Sequence, residues 1–289
     1  MSDGSANPDA AAERYVDLHM HSTASDGAVP PADVVAAAQR AGLSAIALTD
    51  HDTVDGVAAA QAAGAALGVR VIAGVELSSV DEGVEIHVLG LHLARPEHLA
   101  SALDELKESR RNRAKLIVER LNSLGVPVTL DAVYAAAGEG AVGRPHIAKA
   151  LVAGGWARDF RDAFDRWLGN GKPACVEKRT VTFAEAARLI HDAGGLVVYA
   201  HPGADASRTE LEELASLGLD AVEVRHPSHT VDEIARLERL ANDLGLLPSG
   251  GSDWHGSPDS YRALGSMKVS AEWLARQDER VRQRAEQPA

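Results

Sequence analysis

The stretch that most constrains this chain is Tyr15-Val16-Asp17-Leu18-His19-Met20-His21, closed by Ser25-Asp26-Gly27. On a β-strand, side chains two apart point the same way, so His19 and His21 share one face. Two imidazoles side by side make a poor apolar surface but a good pair of metal ligands. Taken alone, a His-x-His pair is equally consistent with one surface and one core histidine. What turns it into a constraint is recurrence. Asp50-His51-Asp52, Gly74-Val75-Glu76, the lone His87, His201-Pro202-Gly203 and Ser252-Asp253-Trp254-His255 all sit at or past the end of an apolar run.

Taken in order, residues 1–14 are small, polar and aperiodic, and are expected to form a disordered leader. A strand over 15–19 precedes a helix that is entered at Pro30-Pro31 and stopped by Gly42. A strand over 44–49 follows, and then Asp55 is placed to cap a helix ending at Gly68. A third strand over 69–73 leads into Gly74-Val75-Glu76, and a fourth over 85–91 is expected to run antiparallel to it. Residues 96–180 show helical patterns only, which predicts a helical insert or lid. The β/α rhythm resumes with a helix over 183–193 and strands over 196–200, 221–224 and 246–249. Residues 276–289 read as a charged, frayed helical tail. The expected class is α/β. Seven strands with mostly helical crossovers argue for a barrel spanning 15–95 and 181–275, whose active site lies at the carboxyl ends of its strands.

A net charge of −13 argues against a broad nucleic-acid-coating surface, although divalent cations can reverse the sign locally. The single Cys175 excludes an internal disulfide and, with no signal peptide, points to the cytoplasm. No apolar run reaches membrane-spanning length. The candidate ligands are His19, His21, Asp26, His51, Glu76, His87, His201, Asp253 and His255, with no thiolate among them. One ion needs about three or four such groups, so the set suffices for two or three ions sharing carboxylates such as Glu76 and Asp26. Mixed imidazole and carboxylate suit Zn, Mn or Fe. Asp50 and Asp52 are candidates for orienting ligands or capping helices, while His92, His98 and His191 read as surface or packing residues.

Together, His19-x-His21 with Ser25-Asp26-Gly27, Thr49-Asp50-His51-Asp52, Gly74-Val75-Glu76, His87, Ala200-His201-Pro202-Gly203 and Gly251-Ser252-Asp253-x-His255 resemble the motifs of the polymerase-and-histidinol-phosphatase (PHP) superfamily. The resemblance implies a distorted seven-stranded (β/α) barrel with a trinuclear metal site at its mouth. Position by position, it implies one ion on His19, His21, Glu76 and Asp253, and a second on Glu76, His87 and His201. A third would take Asp26, His51 and His255. The insert, with Gly143-Arg144-Pro145-His146, most resembles the TrpH/YciV-like branch. Members of that branch hydrolyse nucleoside 3′,5′-bisphosphates, and some act as 5′→3′ exoribonucleases on short RNAs. The resemblance adds Arg144, His146 and His229 as substrate contacts. It makes Arg144 a neutraliser of the reacting phosphate and His229 a candidate proton donor.

The expected chemistry is attack of metal-activated hydroxide on a phosphate ester of a small nucleotide or a 5′-phosphorylated RNA end. A histidinol-phosphate phosphatase would share barrel and metals, but the large insert favours a nucleotide. A proofreading exonuclease module is a further alternative, and a metal-binding protein without catalysis is the alternative of another class. The roles of Arg225, His226 and Lys172 and the oligomeric state stay open at this level.

Overall fold

The computed structural model describes residues 14–81, 84–138, 140–177, 181–204, 206–256 and 262–286, so the expected leader lies, but for Arg14, outside the described residues. The seven expected strands are present as β1 (Tyr15–Asp17), β2 (Ala45–Leu48), β3 (Arg70–Asp81), β4 (Val84–Leu91), β6 (Leu196–Tyr199), β7 (Ala221–Arg225) and β8 (Leu247–Gly250). Two short strands, β5 (Val181–Thr182) and β9 (Val269–Ser270), were not foreseen. The sheet order is β8-β7-β6-β4-β3-β2-β1-β9, with β5 on β3. β4 is antiparallel to both β3 and β6, whereas the β1-β2-β3 and β6-β7-β8 pairings are parallel.

The sheet closes to a barrel where the chain leaving β8 meets the chain leaving β1. Leu18 donates to the Gly250 carbonyl at 3.1 Å, Asp253 to the His19 carbonyl at 2.8 Å and His21 to the Trp254 carbonyl at 2.9 Å. A Cβ on Gly251 would collide with the His19 backbone and Cβ, so glycine permits this closest approach. Small and branched apolar side chains, among them Val16, Leu18, Ala47, Leu89, Val198 and Leu247, fill the interior. The outer layer is helical: α1 (Pro31–Arg40), α2 (Val57–Leu67), α7 (Phe183–Asp192), α8 (Arg208–Ser216) and α9 (Val231–Asp243). Thr182 with Glu185, Ser207 with Glu210 and Thr230 with Glu233 form capping boxes that start α7, α8 and α9.

Four local expectations change. Gly56, not Asp55, stands at the start of α2, because Asp55 pairs with Lys107 at 2.7 Å. β3 does not end at Ala73; it continues to Asp81 because β4 pairs with it along its length. Glu76 is therefore mid-strand, and His87 reaches the mouth from the amino-terminal half of an antiparallel strand. Third, the insert expected to begin at 96 starts its own packing later. Leu99, Leu103 and Leu106 join the barrel's outer core, whereas Ala114 to Ala174 form a separate cluster. That cluster takes in the second half of α3 (Ala100–Ser123), α4 (Leu130–Ala137), α5 (Arg144–Ala153) and the turns Phe160–Ala163 and Phe164–Leu168.

Fourth, the segment expected as a frayed helical tail is indeed helical, as α10 (Ala271–Glu286), but is docked on the barrel. The buried Gln277 amide donates to the Pro248 carbonyl at 3.1 Å, and Arg284 forms two bonds to the buried carboxylate of Asp220. The helix was expected; its docking was not, because its anchors are polar. Among the described residues, no helix is long and apolar enough to cross a membrane.

Asp220 also meets His191 Nε2 and the Val197 amide, each at 2.9 Å. Burial alone would raise its pKa; these partners and Arg284 lower it below the ordinary 3.8. Arg284→Ala is expected to cost about 1–2 kcal/mol at neutral pH, less than a fully buried pair because the arginine is part-exposed. A depressed carboxylate stabilises above its unfolded pKa and loses that contribution as pH falls through its folded value. The difference between wild type and Arg284→Ala in urea unfolding should therefore shrink below about pH 4. A difference that stays constant there would show that the helix is held by packing alone.

Candidate metal centre

The mouth of the barrel brings all nine candidate ligands together around Glu76. This carboxylate is buried in the middle of β3, and five imidazoles approach its two oxygens. His19 Nε2, His21 Nε2 and His51 Nδ1 lie 3.3, 3.2 and 3.1 Å from Oε2. His87 Nδ1 and His201 Nε2 lie 2.7 and 3.3 Å from Oε1. Asp253 Oδ1 is 3.6 Å from His19 Nε2 and 3.2 Å from His21 Nε2. Asp26 faces His255 at 3.3 Å, His51 at 3.9 Å and His21 at 4.0 Å.

The donor set fits cations. Both ring nitrogens of His21, and Nδ1 of His51 and His87, are buried and lack a properly angled hydrogen bond, which is costly unless something else occupies them. Clusters able to hold an ion are His21, Asp26, His51 and His255; His19, His21 and Glu76; His51, Glu76 and His87; and His19, Glu223 and His226. Electrostatics agrees. Burial would raise the pKa of Glu76, yet His51, His87 and His19 hold it well below the carboxylate range. Asp26 and Asp253 are held low in the same way, against burial, by His51 and His19 respectively. Burial would lower His19 and His21, but Glu223, Glu76 and Asp253 raise His19 well above its ordinary value. Asp253 and Glu76 raise His21 to about 10.

Behind these groups lies a supporting layer, in which Asp50 and Asp52 were foreseen as orienting residues and Glu223 was missed. Glu223, fully buried in β7, holds His19 Nδ1 at 3.0 Å and accepts from the His201 amide at 2.7 Å. Its one signal was a charge inside the apolar run Ala221-Val222-Glu223-Val224. Asp50 accepts from the Ser22 amide and from the Ser22 and Ser25 hydroxyls, each at 2.7 Å, and so braces the loop carrying Asp26. Asp52 accepts from the Ser78 amide and from Arg110. His226 Nε2 lies 3.4 Å from Asp253, which also binds Arg262. His201 and Asp253 both hold φ in the left-handed region, +32° and +50°, a local cost that the surrounding contacts sustain.

The remaining expected residues divide. Arg144 opens α5 and lines a cleft of about 830 Å³ with His87, His201 and Asn170, donating to Asn170 at 2.9 Å. His146 is buried near Asp26; its Nδ1 accepts from Gly143, and burial lowers its pKa to about 4. His229 is engaged on both nitrogens, with the Val224 carbonyl at 3.0 Å and the Gly203 amide at 3.2 Å. Arg225 stacks over Trp273 and bonds the Met267 carbonyl, and Lys172 is exposed on its loop. His92, His98 and His191 lie outside the cluster, bonded to Gln277, the Asp192 carbonyl and Asp220.

A family model described as the PHP domain matches residues 17–169. The 5'-3' exoribonuclease Rnm of Escherichia coli K12 is 37% identical over 280 residues, covering 94% of each chain. The 3',5'-nucleoside bisphosphate phosphatase of Chromobacterium violaceum is 35% identical over 257 residues, 86% of this chain and 90% of that protein. A crystal structure from Bifidobacterium adolescentis, designated a metal-dependent phosphoesterase, superposes with a TM-score of 0.85 at 33% identity, covering 92% of this chain and 96% of that one. The chain belongs to the PHP domain family, and it is a phosphoester hydrolase with the metal-dependent phosphoesterase fold.

Proposed function

We propose that the chain hydrolyses the phosphate ester on the ribose 3′-oxygen of nucleotides, both in nucleoside 3′,5′-bisphosphates and at the 5′ ends of short RNA chains. The observation that carries this reading is Arg144. It stands in a cleft of about 830 Å³ shared with His87 and His201, so a guanidinium and the candidate metal centre face one nucleotide-sized space. One phosphate of a bisphosphonucleotide would sit on the metals and the other on Arg144, whose fork of donors fixes distance and direction. The names of the two relatives above support the same substrate class, and the single Cys175 fits a cytoplasmic setting.

In this reading His19, His21, Glu76 and Asp253 hold one ion, Glu76, His87 and His201 a second, and Asp26, His51 and His255 a third. Mn, Zn or Fe suits these donors. When bound, the ions would supply hydroxide at neutral pH and neutralise the phosphoryl oxygens. The chain's own residues do the rest. Glu223 fixes the tautomer and aim of His19 and, through the His201 amide, the turn after β6. Arg144 anchors the distal phosphate. The helical region within 96–180 acts as a lid, delivering Arg144 and His146 to the mouth. His229, bound to Gly203, supports the floor beneath the substrate; it would have to release that amide before giving a proton to the leaving oxygen.

Phosphate release with added Mn²⁺ tests the substrate class: turnover of a 3′,5′-bisphosphonucleoside should exceed that of histidinol phosphate, and the reverse ranking would overturn it. Glu76→Ala should lose more than one ion per chain by elemental analysis, together with essentially all turnover. Wild-type metal content in that variant would refute the bridging assignment. Arg144→Ala should retain its metals but lose roughly ten- to a hundredfold in kcat/KM on the bisphosphonucleoside, the scale of a charge-assisted hydrogen bond. On an activated ester without a second phosphate the loss should be much smaller. Equal losses on both would place Arg144 at the reacting phosphate instead.

A further inference from the structure

The space around the candidate centre is larger than one nucleotide requires. Besides the Arg144 cleft, a hollow of about 690 Å³ opens on the Asp26 side, between the loop carrying Thr23 and Ser25 and the insert residues His146 and Lys149. A second hollow of about 490 Å³ shares Asp55, Ala137 and Gly138 with it and continues past Tyr134, Lys107 and Arg111. The two adjoin at these shared residues and are taken together as one trough; neither shares a lining residue with the His87 and His201 cleft.

We infer that this trough binds the nucleotides on the 3′ side of the scissile phosphate in a single-stranded RNA, with Lys149, Arg111 and Tyr134 as its backbone and base contacts. The inference rests on the function proposed above and extends it. In a bisphosphonucleoside and at the 5′ end of a chain, the same bond breaks. The hydroxide oxygen bonds to phosphorus, the P–O3′ bond opens and the 3′-oxygen takes a proton. Phosphorus departs as inorganic phosphate in the first case and as the 5′-phosphate of the shortened chain in the second. One water is consumed each time. The first nucleotide therefore occupies the Arg144 cleft in both cases. Whatever is esterified to the far side of the scissile phosphate must leave by another route, and the trough provides one.

Its walls have the matching chemistry. On a chain of net charge −13, single-stranded RNA needs local cations. Lys149 is exposed and has no carboxylate partner among the described residues. Among the described residues Arg111 pairs only with Glu108, at 4.0 Å, and both are largely solvated. Tyr134 presents its ring at 39% exposure on the same wall, an arrangement suited to stacking a base regardless of sequence. The trough is also held in register with the site. Ala141 donates to the Ala24 carbonyl at 3.2 Å, and a Cβ on Gly140 would strike the Thr23 and Ser25 carbonyls. The wall thus rests directly on the loop that carries Asp26.

The test compares a 5′-phosphorylated pentaribonucleotide with a 3′,5′-bisphosphonucleoside on the metal-loaded full chain. The double variant Lys149→Glu/Arg111→Glu should lose roughly ten- to a hundredfold in kcat/KM on the pentamer and stay within about twofold on the bisphosphonucleoside. Tyr134→Ala should lose roughly five- to fiftyfold on the pentamer alone, the scale of one base stack. Unchanged pentamer cleavage, or equal losses on both substrates, would overturn the trough. So would a wild type that hydrolyses the bisphosphonucleoside but not the pentamer, and that result leaves the proposed function standing. If wild type hydrolyses neither, the proposed function fails. The trough is then judged by fluorescence anisotropy of a labelled pentamer on the metal-free chain, where the double variant must weaken binding at least about tenfold or the inference falls too.

Discussion

Everything at the mouth of this barrel depends on one buried carboxylate. Glu76 lies at the centre of a long strand, 1% exposed, with three imidazoles facing one of its oxygens and two facing the other. An ionised carboxylate in such a place is tenable only if positive charge or strong donors surround it. The barrel supplies them from β1, β2, β4 and β6 at once, so the cluster is a property of closure and not of any single segment. The antiparallel β4 is part of this design. Its reversed direction lets His87 enter the mouth from a strand whose carboxyl end lies at the opposite side, next to Glu76 in the β3–β4 pair.

The same electrostatic demand explains how a strongly acidic chain can serve an anionic substrate. The acidic groups at the mouth face the imidazole cluster, and cations that neutralise nearby carboxylates or face the cleft come from the helical region between β4 and β5. Arg110 reaches Asp52, Lys107 reaches Asp55, and Arg144 faces the cleft beside His87. In the proposed function, substrate recognition and metal retention fall to different layers of the molecule, joined by contacts such as Ala141 to Ala24.

Much of this was legible in the sequence, for a physical reason. Candidate ligand side chains break an apolar strand pattern at its end, so His19, His21, His51, His201, Asp253 and His255 stand out against their own runs. Apart from the far end of β3, the seven expected strands were found within a few residues. What escaped detection depends on pairing between distant segments. β3 looked finished at Ala73 because Gly74 and Glu76 interrupt its apolar run, yet β4 carries it on to Asp81. α10 was expected as a helix but as a frayed one, because Gln277 and Arg284 are polar, yet both find buried partners in Pro248 and Asp220. β5 and β9 are two residues each, below any periodic signal.

Glu223 is the most instructive omission. A lone glutamate in Ala221-Val222-Glu223-Val224-Arg225 carries no motif, but a charge in a fully buried strand must be compensated somewhere. Here His19 and the His201 amide do so, and both belong to the residues that surround Glu76. The consequence runs in both directions. Glu223 orders the cluster, and the cluster's positive charge holds Glu223 ionised, its pKa lowered against burial by His19 and His226. A neutral replacement at 223 would remove a buried charge and its desolvation cost while leaving His19 free to turn. Stability and site geometry would then separate, because the first depends on what burial costs and the second on what the buried group aims.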